Sequence, residues 1–388
     1  MKKDPIVKKE ILRIRQEIDS LDTRLLDLIT KRRKLSLKII KVKSKGAKPT
    51  REAEREKEII NRIIGIAKKR KLDVFFISGL FREIIEDSVN LQRKYLSGTY
   101  PKQVSKEALS LAIQGIEGSY SYLAALKYFN AKRESVNLIS KKRFNEVFNT
   151  VEKGKADYAL LPIENTTSGG INEVHDLLLN TTLYIVGEEI YRINHCLAAI
   201  KKVPLSGINK IYAHYQAEAQ CSNFIASLKD CSLEYFPDTA MSFKKIRDEK
   251  NASVGAIAGE DAARIYGLKI LKRNIANQTG NFTRFLVLAQ EPSEPPIGVP
   301  CKTSIIISTP NKAGALADAL IIFKRRNITL TRIISRPVTG SPWDEIFYID
   351  FEGNLRDRKI KNLLNALEEK TLFLKVLGSY PVAGLKYL

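Results

Sequence analysis

Residues Ile11 to Lys43 run for 33 positions without a proline or a glycine. Apolar side chains recur at Ile11, Ile14, Ile18, Leu21, Leu25, Leu28, Ile29, Leu35 and Ile39. Spacings of three and four over that length predict one long helix with an apolar stripe. Such a helix is unusual in a compact domain. Three cations, Arg15, Arg32 and Lys43, share or border the stripe. An uncompensated charge is costly to bury, so a packed stripe of this kind calls for an anion. Arg15 and Arg32 are separated by roughly 25 Å at 1.5 Å per residue. They cannot clamp one small molecule from the same helix, but two antiparallel copies would bring Arg15 of one to Arg32 of the other and create two equivalent sites. The alternative is a coiled-coil dimerisation helix with solvated cations. Periodicity alone favours that alternative.

The chain has 388 residues, enough for two or three domains with cores of their own. Its net charge is +22, and residues 1–100 carry 27 Lys and Arg against 14 Asp and Glu. Such a field suits nucleic acid or small anions. The Lys- and Ile-rich composition of the whole chain offers a duller source for much of the excess. No helix-turn-helix, RRM or zinc signature accompanies the basic residues, and no aromatics interleave with them, so nucleic acid is not the expected partner. Cys196, Cys221, Cys231 and Cys301 have no metal-ligand spacing and are too few for a disulfide framework, which suits a reducing cytoplasm. No apolar segment follows the basic start MKKDPIVKKE, so neither a signal peptide nor a membrane span is expected. Three histidines without an HExxH pattern give no reason to expect a metal or other cofactor.

Organisation changes twice along the chain. Helices are predicted over 11–43, 51–69 and 74–96, making residues 1–96 an all-α unit that ends in a linker at 97–107. From 108 to 290 short apolar runs alternate with amphipathic helices, as in LSLAIQG then SYSYLAALKYF. That alternation predicts an α/β unit of mostly parallel strands. The long stretch 184–200 predicts two lobes joined by crossing strands, with a ligand crevice at the strand ends. A Pro-rich linker at 291–300 follows. Residues 301–388 then predict the order βαββαβ, a ferredoxin-like domain.

In the helical unit, Glu52, Arg55 and Glu56 fall on the second helix, and Ser88 and Gln92 share one face of the third. With Arg15, Arg32 and Lys43 they are numerous enough to line a polar pocket inside a bundle. Taken singly, each is an ordinary surface salt-bridge or hydrogen-bond residue.

Residues 11–92, with RQEIDSLDTRLLDLITKRRKL and IIEDSVNLQ, resemble the all-helical chorismate mutase family. The resemblance implies that Arg32, and Arg15 from a partner chain, bind the two carboxylates of chorismate. Lys43 and Gln92 would hydrogen-bond the ether oxygen, and Glu56 the ring hydroxyl. Glu52, Arg55 and Ser88 would support the pocket. The family often has Asp where this chain has Glu52. These residue types suit a Claisen rearrangement, which needs a folded substrate and stabilised charge on the ether oxygen rather than an acid, base or nucleophile.

The middle unit resembles prephenate dehydratase through GIEGSY (115–120), PIENTTSG (162–169), HYQAEAQC (214–221) and NFTRF (281–285). The resemblance implies that the Thr283 hydroxyl assists departure of the ring hydroxyl while CO2 is lost. Glu164, Asn165 and Gln220 would line the cleft, and Arg284 would bind a substrate carboxylate. Ala213 replaces the family's usual Ser before the His, from which lowered activity is expected. Without the family, Thr283 is an ordinary strand threonine.

The C-terminal unit resembles an ACT domain, a fold that binds amino acids. Gly314, Ala315 and Leu316 match one effector motif. Ser335, Arg336 and Pro337 match another, but Ile334 stands where that motif has Glu. An isoleucine cannot accept a hydrogen bond, so phenylalanine inhibition is expected to be weakened or lost. The order mutase, dehydratase, ACT is that of the bifunctional P-protein family, chorismate mutase–prephenate dehydratase. Its implied partners are chorismate, prephenate, phenylalanine and a second copy of the chain. A non-catalytic amino-acid sensor is the rival reading.

Overall fold

The Gly- and Pro-free run folds as helix α1 (Pro5–Lys43). It starts six residues ahead of the predicted start, because a proline in the first turn sacrifices no helical hydrogen bond. The structure, a computed structural model, describes residues 5–43, 53–96, 109–129, 135–228, 231–295, 299–338 and 341–383. The chain divides into two compact units, residues 1–100 with 296–300, and residues 101–295 with 301–388.

In the first unit, α2 (Ala53–Lys69) and α3 (Val74–Leu96) complete an all-α fold. Asp73 starts α3 by accepting the Phe76 N–H, the expected role of an aspartate at a helix N-terminus. Helix α3 packs against both α1 and α2 around Ile40, Ala67, Ile85, Val89 and Leu91. The N-terminal half of α1 is different. Ile11, Ile14, Ile18, Leu21 and Leu25 are each at least 45 % exposed.

The second unit starts with β1 (Leu109–Gln114), α4 (Tyr120–Phe129), β2 (Val136–Lys141), α5 (Phe144–Glu152), β3 (Tyr158–Asn165), β4 (Gly169–Gly170), α6 (Asn172–Asn180) and β5 (Tyr184–Arg192). The chain then crosses into a second lobe. That lobe holds β6 (His195–Ala199), β7 (Lys210–Ala213), α7 (Tyr215–Gln220), α8 (Ser222–Ala226), β8 (Ser232–Tyr235), α9 (Thr239–Glu249), β9 (Val254–Gly259), α10 (Glu260–Ile265) and β10 (Lys269–Lys272). It returns through β11 (Phe282–Ala289) to the first sheet. Strand orders are β2-β1-β3-β11-β5, with β4 beside β3, and β10-β6-β9-β7-β8. The two crossings meet where the Ile193 N–H donates to Asn281 O at 2.8 Å.

The expected parallel character holds only in part. Pairs β1–β2, β1–β3, β7–β8 and β7–β9 are parallel. Pairs β3–β11, β5–β11, β6–β9 and β6–β10 are antiparallel. The returning and crossing strands enter each sheet from the opposite end, which reverses their direction.

The remaining elements are β12 (Cys301–Ser308), α11 (Ala315–Arg325), β13 (Leu330–Val338), β14 (Ser341–Glu352), α12 (Arg358–Glu368) and β15 (Phe373–Pro381), with strand order β13-β14-β12-β15. This is the predicted βαββαβ domain. Alternation gives its sheet two apolar faces. Ile305, Ile307, Ile349 and Phe351 pack under α11 and α12, whereas Ile306, Tyr348 and Tyr380 join Leu161, Leu178, Leu286 and Leu288 of the first lobe. The C-terminal domain therefore shares a core with the lobe rather than hanging from the Pro-rich segment. Close approach needs Gly378, where a Cβ would lie 2.2 Å from Ile185 O. No helix among the described residues is long and apolar enough to cross a membrane.

Candidate active site

The two lobes of the second unit enclose a cleft of about 300 Å³. Strand ends deliver Thr283 from β11, Asn165 from β3 and His195 from β6, while α7 delivers Gln220. No lysine or arginine lines the cleft among the described residues. Instead α4 and α9 start at its wall, through Tyr120, Ser121 and Thr239. Helix N-termini present unpaired N–H groups and the positive end of the dipole, so they favour anions.

A directed hydrogen-bond chain crosses the cleft floor. Asn165 Oδ1 accepts the backbone N–H groups of Thr167 and Ser168, each at 2.9 Å. Those two donors settle which way the amide points. Asn165 Nδ2 must then donate, to Thr283 Oγ1 at 2.9 Å and to Asn281 Oδ1 at 2.7 Å. With its oxygen accepting from Asn165, Thr283 keeps its own proton for a ligand. Asn281 Nδ2 donates in turn to Gln220 Oε1 at 2.9 Å. That oxygen also lies 2.9 Å from His195 Nε2, which is therefore the protonated nitrogen. His195 Nδ1 faces Tyr120 OH at 3.1 Å. Burial lowers the His195 pKa, more than the Gln220 hydrogen bond raises it, so the ring is neutral. Burial lowers the pKa of His214 too.

Among the described residues, one carboxyl group lines the cleft. Asp238 caps α9, accepting the Ala240 N–H, and reaches across to the Ile116 N–H at 3.2 Å. Burial pushes its pKa up to about 6 against the pull of those backbone donors. Gly115 makes room for it: a Cβ there would sit 2.1 Å from Asp238 Oδ2, and the φ of +102° is already one that side chains avoid.

Arg284 and Glu164 are not cleft residues. Successive strand residues point to opposite faces, so Thr283 toward the cleft sends Arg284 away from it. Glu164 follows for the same reason, as the chain neighbour of Asn165. Arg284 pairs with Glu164 but Phe285 with Pro162, so Ile163 is an extra residue in β3. This bulge lets Pro162 and Asn165, three residues apart, both face the cleft. On the opposite face Arg284 donates to Glu188 at 2.7 Å, Glu164 at 3.1 Å, Asp350 at 2.7 Å and the Tyr380 hydroxyl at 3.1 Å. Ala213 is also outside the cleft, fully buried among Leu197, Ile211 and Ile257.

Sequence reasoning did not single out Tyr120, His195, Asn281 or Asp238. Tyr120 and Asn281 stand inside quoted motifs. His195 and Asp238 carry no local signal, because only the packing of two lobes makes them neighbours of the cleft.

In the helical unit, α1 and α3 bring together Arg32, Ser88 and Gln92. Arg32 donates to Ile84 O at 2.8 Å and to the Ser88 hydroxyl. Burial lowers its pKa, against the opposing pull of Asp87. Gln92 Nε2 donates to Ser36 O at 3.3 Å, while its buried Oε1 has no hydrogen-bond partner among the described residues. Glu56 is half-buried. Arg55 is exposed and pairs with Glu58 at 2.6 Å. Arg15 lies on the exposed half of α1, apart from Arg32. Glu52 and the Lys43 side chain lie outside the described residues.

In the C-terminal domain, Gly314 takes the left-handed conformation (φ +80°) before α11, with Ala315 buried and Leu316 half-buried behind it. Ser335 is exposed. Arg336 is committed to Asp176 of α6 through contacts of 3.0 and 2.8 Å. Ile334, from the same face of β13, packs on the core shared with the first lobe.

Three family models match in chain order: Chorismate mutase type II over residues 14–93, Prephenate dehydratase over 111–293 and ACT domain over 303–369. A bifunctional chorismate mutase/prephenate dehydratase from Escherichia coli (strain K12) is 40 % identical over 371 residues, covering 96 % of each chain. Among solved structures, a prephenate dehydratase from Arthrobacter aurescens in complex with L-Phe has a TM-score of 0.64 and 28 % identity, covering 71 % of this chain and 90 % of that one. The structure of GqqA, described as a novel type of quorum-quenching acylase, has a TM-score of 0.63 and 30 % identity, covering 71 % and 98 %. One fold thus carries more than one chemistry, and the site has to decide.

Proposed function

The chain belongs to the bifunctional chorismate mutase/prephenate dehydratase family, and from that premise we propose how its residues divide the two reactions of phenylalanine biosynthesis. The first unit rearranges chorismate to prephenate. The second converts prephenate to phenylpyruvate with loss of water and CO2.

For the rearrangement, Arg32 with Ser88 holds one carboxylate of chorismate. The free Oε1 of Gln92 marks that amide as turned toward a ligand, where its rotation presents Nε2 to the ether oxygen. Arg15 of a second copy supplies the other carboxylate contact, and Lys43, Glu52, Arg55 and Glu56 complete and support the pocket. A homodimer in which α1 pairs antiparallel with its mate also covers the exposed stripe from Ile11 to Leu25. Catalysis then consists of positioning plus charge stabilisation.

For the dehydration, the orientation of the Asn165 amide carries the reading. It leaves Thr283 as a donor aimed into the cleft. As the ring carboxylate leaves as CO2, its electrons enter the ring and the departing hydroxyl takes a hydrogen bond from Thr283. Aromatisation supplies the driving force. Gln220 and Asn281 hold Asn165 in place, and the N-terminus of α4 receives a substrate carboxylate. Phenylalanine is the proposed effector of the C-terminal domain, through Gly314, Ala315, Leu316 and Ser335. Its inhibition is weakened because Ile334 and Arg336 face the first lobe instead of a ligand.

The test is a paired assay on the purified chain, supplying chorismate or prephenate with and without phenylalanine. Phenylpyruvate forms from both substrates, and phenylalanine slows it only weakly. Thr283→Ala abolishes dehydration, by a factor on the order of 10² to 10⁴ for a lost proton donor, and leaves the mutase rate unchanged. Equal dehydratase rates for Thr283→Ala and the parent refute the assignment. No turnover of either substrate restores the sensor reading.

A further inference from the structure

Behind the catalytic threonine, on the opposite face of the same sheet, lies a buried charge cluster that neither reaction uses. The first lobe contributes Arg284, Glu164 and Glu188. The C-terminal domain contributes Lys302, Arg332 and Asp350. The first set sums to −1 and the second to +1, so each side neutralises the other. The Glu188 side chain is 1 % exposed and that of Arg284 9 %.

We propose that Arg284 is a positioning residue for dehydration, through which Asp350 and Tyr380 of the C-terminal domain hold the catalytic pair Thr283–Asn165 in register. The proposal rests on the reading of Thr283 as the proton donor. Two observations carry it. First, the β3–β11 pairing sets Thr283 opposite Asn165 and Arg284 opposite Glu164. Each member of the catalytic pair therefore has a chain neighbour gripped from the C-terminal domain: Arg284 by Asp350 at 2.7 Å and Tyr380 at 3.1 Å, and Glu164 by Arg332. Second, the bulge at Ile163 interrupts the β-ladder immediately beside this point. The bulge leaves Ile163 unpaired and bends β3 there, so the side-chain cluster adds a constraint where the ladder gives up a pairing. A shift of Arg284 moves the Thr283 backbone with it, and displacement of a reacting group by about 1 Å can cost 10²-fold in rate.

The experiment uses the full chain. Asp350→Asn keeps the volume and removes one charge. It lowers the dehydratase kcat about tenfold, inside that limit, with KM for prephenate changed less than twofold and mutase turnover on the same chain unchanged. Tyr380→Phe, which removes one hydroxyl, lowers kcat in the same direction by a smaller factor. It carries the test alone if Asp350→Asn lowers the melting temperature of the second unit and so betrays a folding defect. A role that is only structural multiplies into every background. A role exerted through the catalytic pair shrinks once that pair is broken, so in Asn165→Ala the same substitutions cost less than twofold. An unchanged kcat, or the same fold loss in both backgrounds, overturns the proposal. If Thr283→Ala is itself active, the reading beneath it fails instead.

Discussion

Asp238 shows how one buried side chain ties folding to substrate binding. Its carboxyl titrates near 6, well above an ordinary aspartate, because burial penalises the charged form. The protonated form is the one the fold prefers. Its contribution to stability is present below about pH 4 and is lost as pH rises through 6. Prephenate carries two carboxylates, so an ionised Asp238 on the cleft wall also repels it. The dehydratase KM for prephenate is therefore expected to rise several-fold between pH 5 and pH 8. Asn at the same place still caps α9 and removes the charge, so Asp238→Asn flattens the KM profile and raises the melting temperature at pH 8. Steady-state kinetics and thermal melts across that range check both. At this scale the sequence is uneven. The facing of Arg284 away from the cleft follows from strand alternation alone, since Thr283 is its neighbour. That of Glu164 follows equally from its neighbour Asn165, but the bulge at Ile163, formed only once β3 has paired with β11, is what turns Pro162 to the cleft as well.

Helix α1 is the element most legible in advance and also the least satisfied. Its periodicity specifies a stripe, and a stripe exposed along Ile11, Ile14, Ile18, Leu21 and Leu25 leaves a large apolar face open to water. The proposed antiparallel second copy would cover the stripe and bridge the distance between Arg15 and Arg32. It makes a quantitative prediction. Arg15→Ala and Arg32→Ala each abolish mutase turnover alone. Mixed in equal amounts and allowed to exchange, half of the dimers are hybrids, and each hybrid holds one intact site. Activity returns to about a quarter of the parent value. A mixture as dead as its components excludes the shared site, while dehydratase activity, read on the same samples, stays constant throughout.

Across the whole molecule, the C-terminal domain is built into the catalytic unit rather than appended to it. Glu188 pays a desolvation penalty that would raise its pKa, but Arg284 and Lys302 outweigh it and hold the carboxyl below its ordinary value. Asp350 is likewise held down, against burial, chiefly by Arg284. For groups with depressed values the stabilisation is present above the unfolded pKa, about 4, and is lost as pH falls through the folded one. The second unit should therefore begin to unfold below pH 4. Glu188→Gln leaves Arg284 and Lys302 short of a charge in a dry site and costs about 3–5 kcal/mol at neutral pH. Its acid transition is also shallower. Calorimetry between pH 3 and 7 measures both effects.

What the sequence determined by itself is what local chemistry encodes. Helix and strand periods, the breakers between them and the order of the units are written in neighbouring residues. So are the motifs holding Thr283, Asn165 and Gln220. What only the tertiary structure decided is what depends on pairing between distant segments: the amide chain from Asn165 through Asn281 and Gln220 to His195, the bulge at Ile163, and the seat of Ile334 and Arg336 on the first lobe. Arg336, expected to meet an effector, is paired instead with Asp176, 160 positions earlier in the chain. No local period encodes such a partner, because strand register and domain docking are set by surfaces that exist only after the elements have formed.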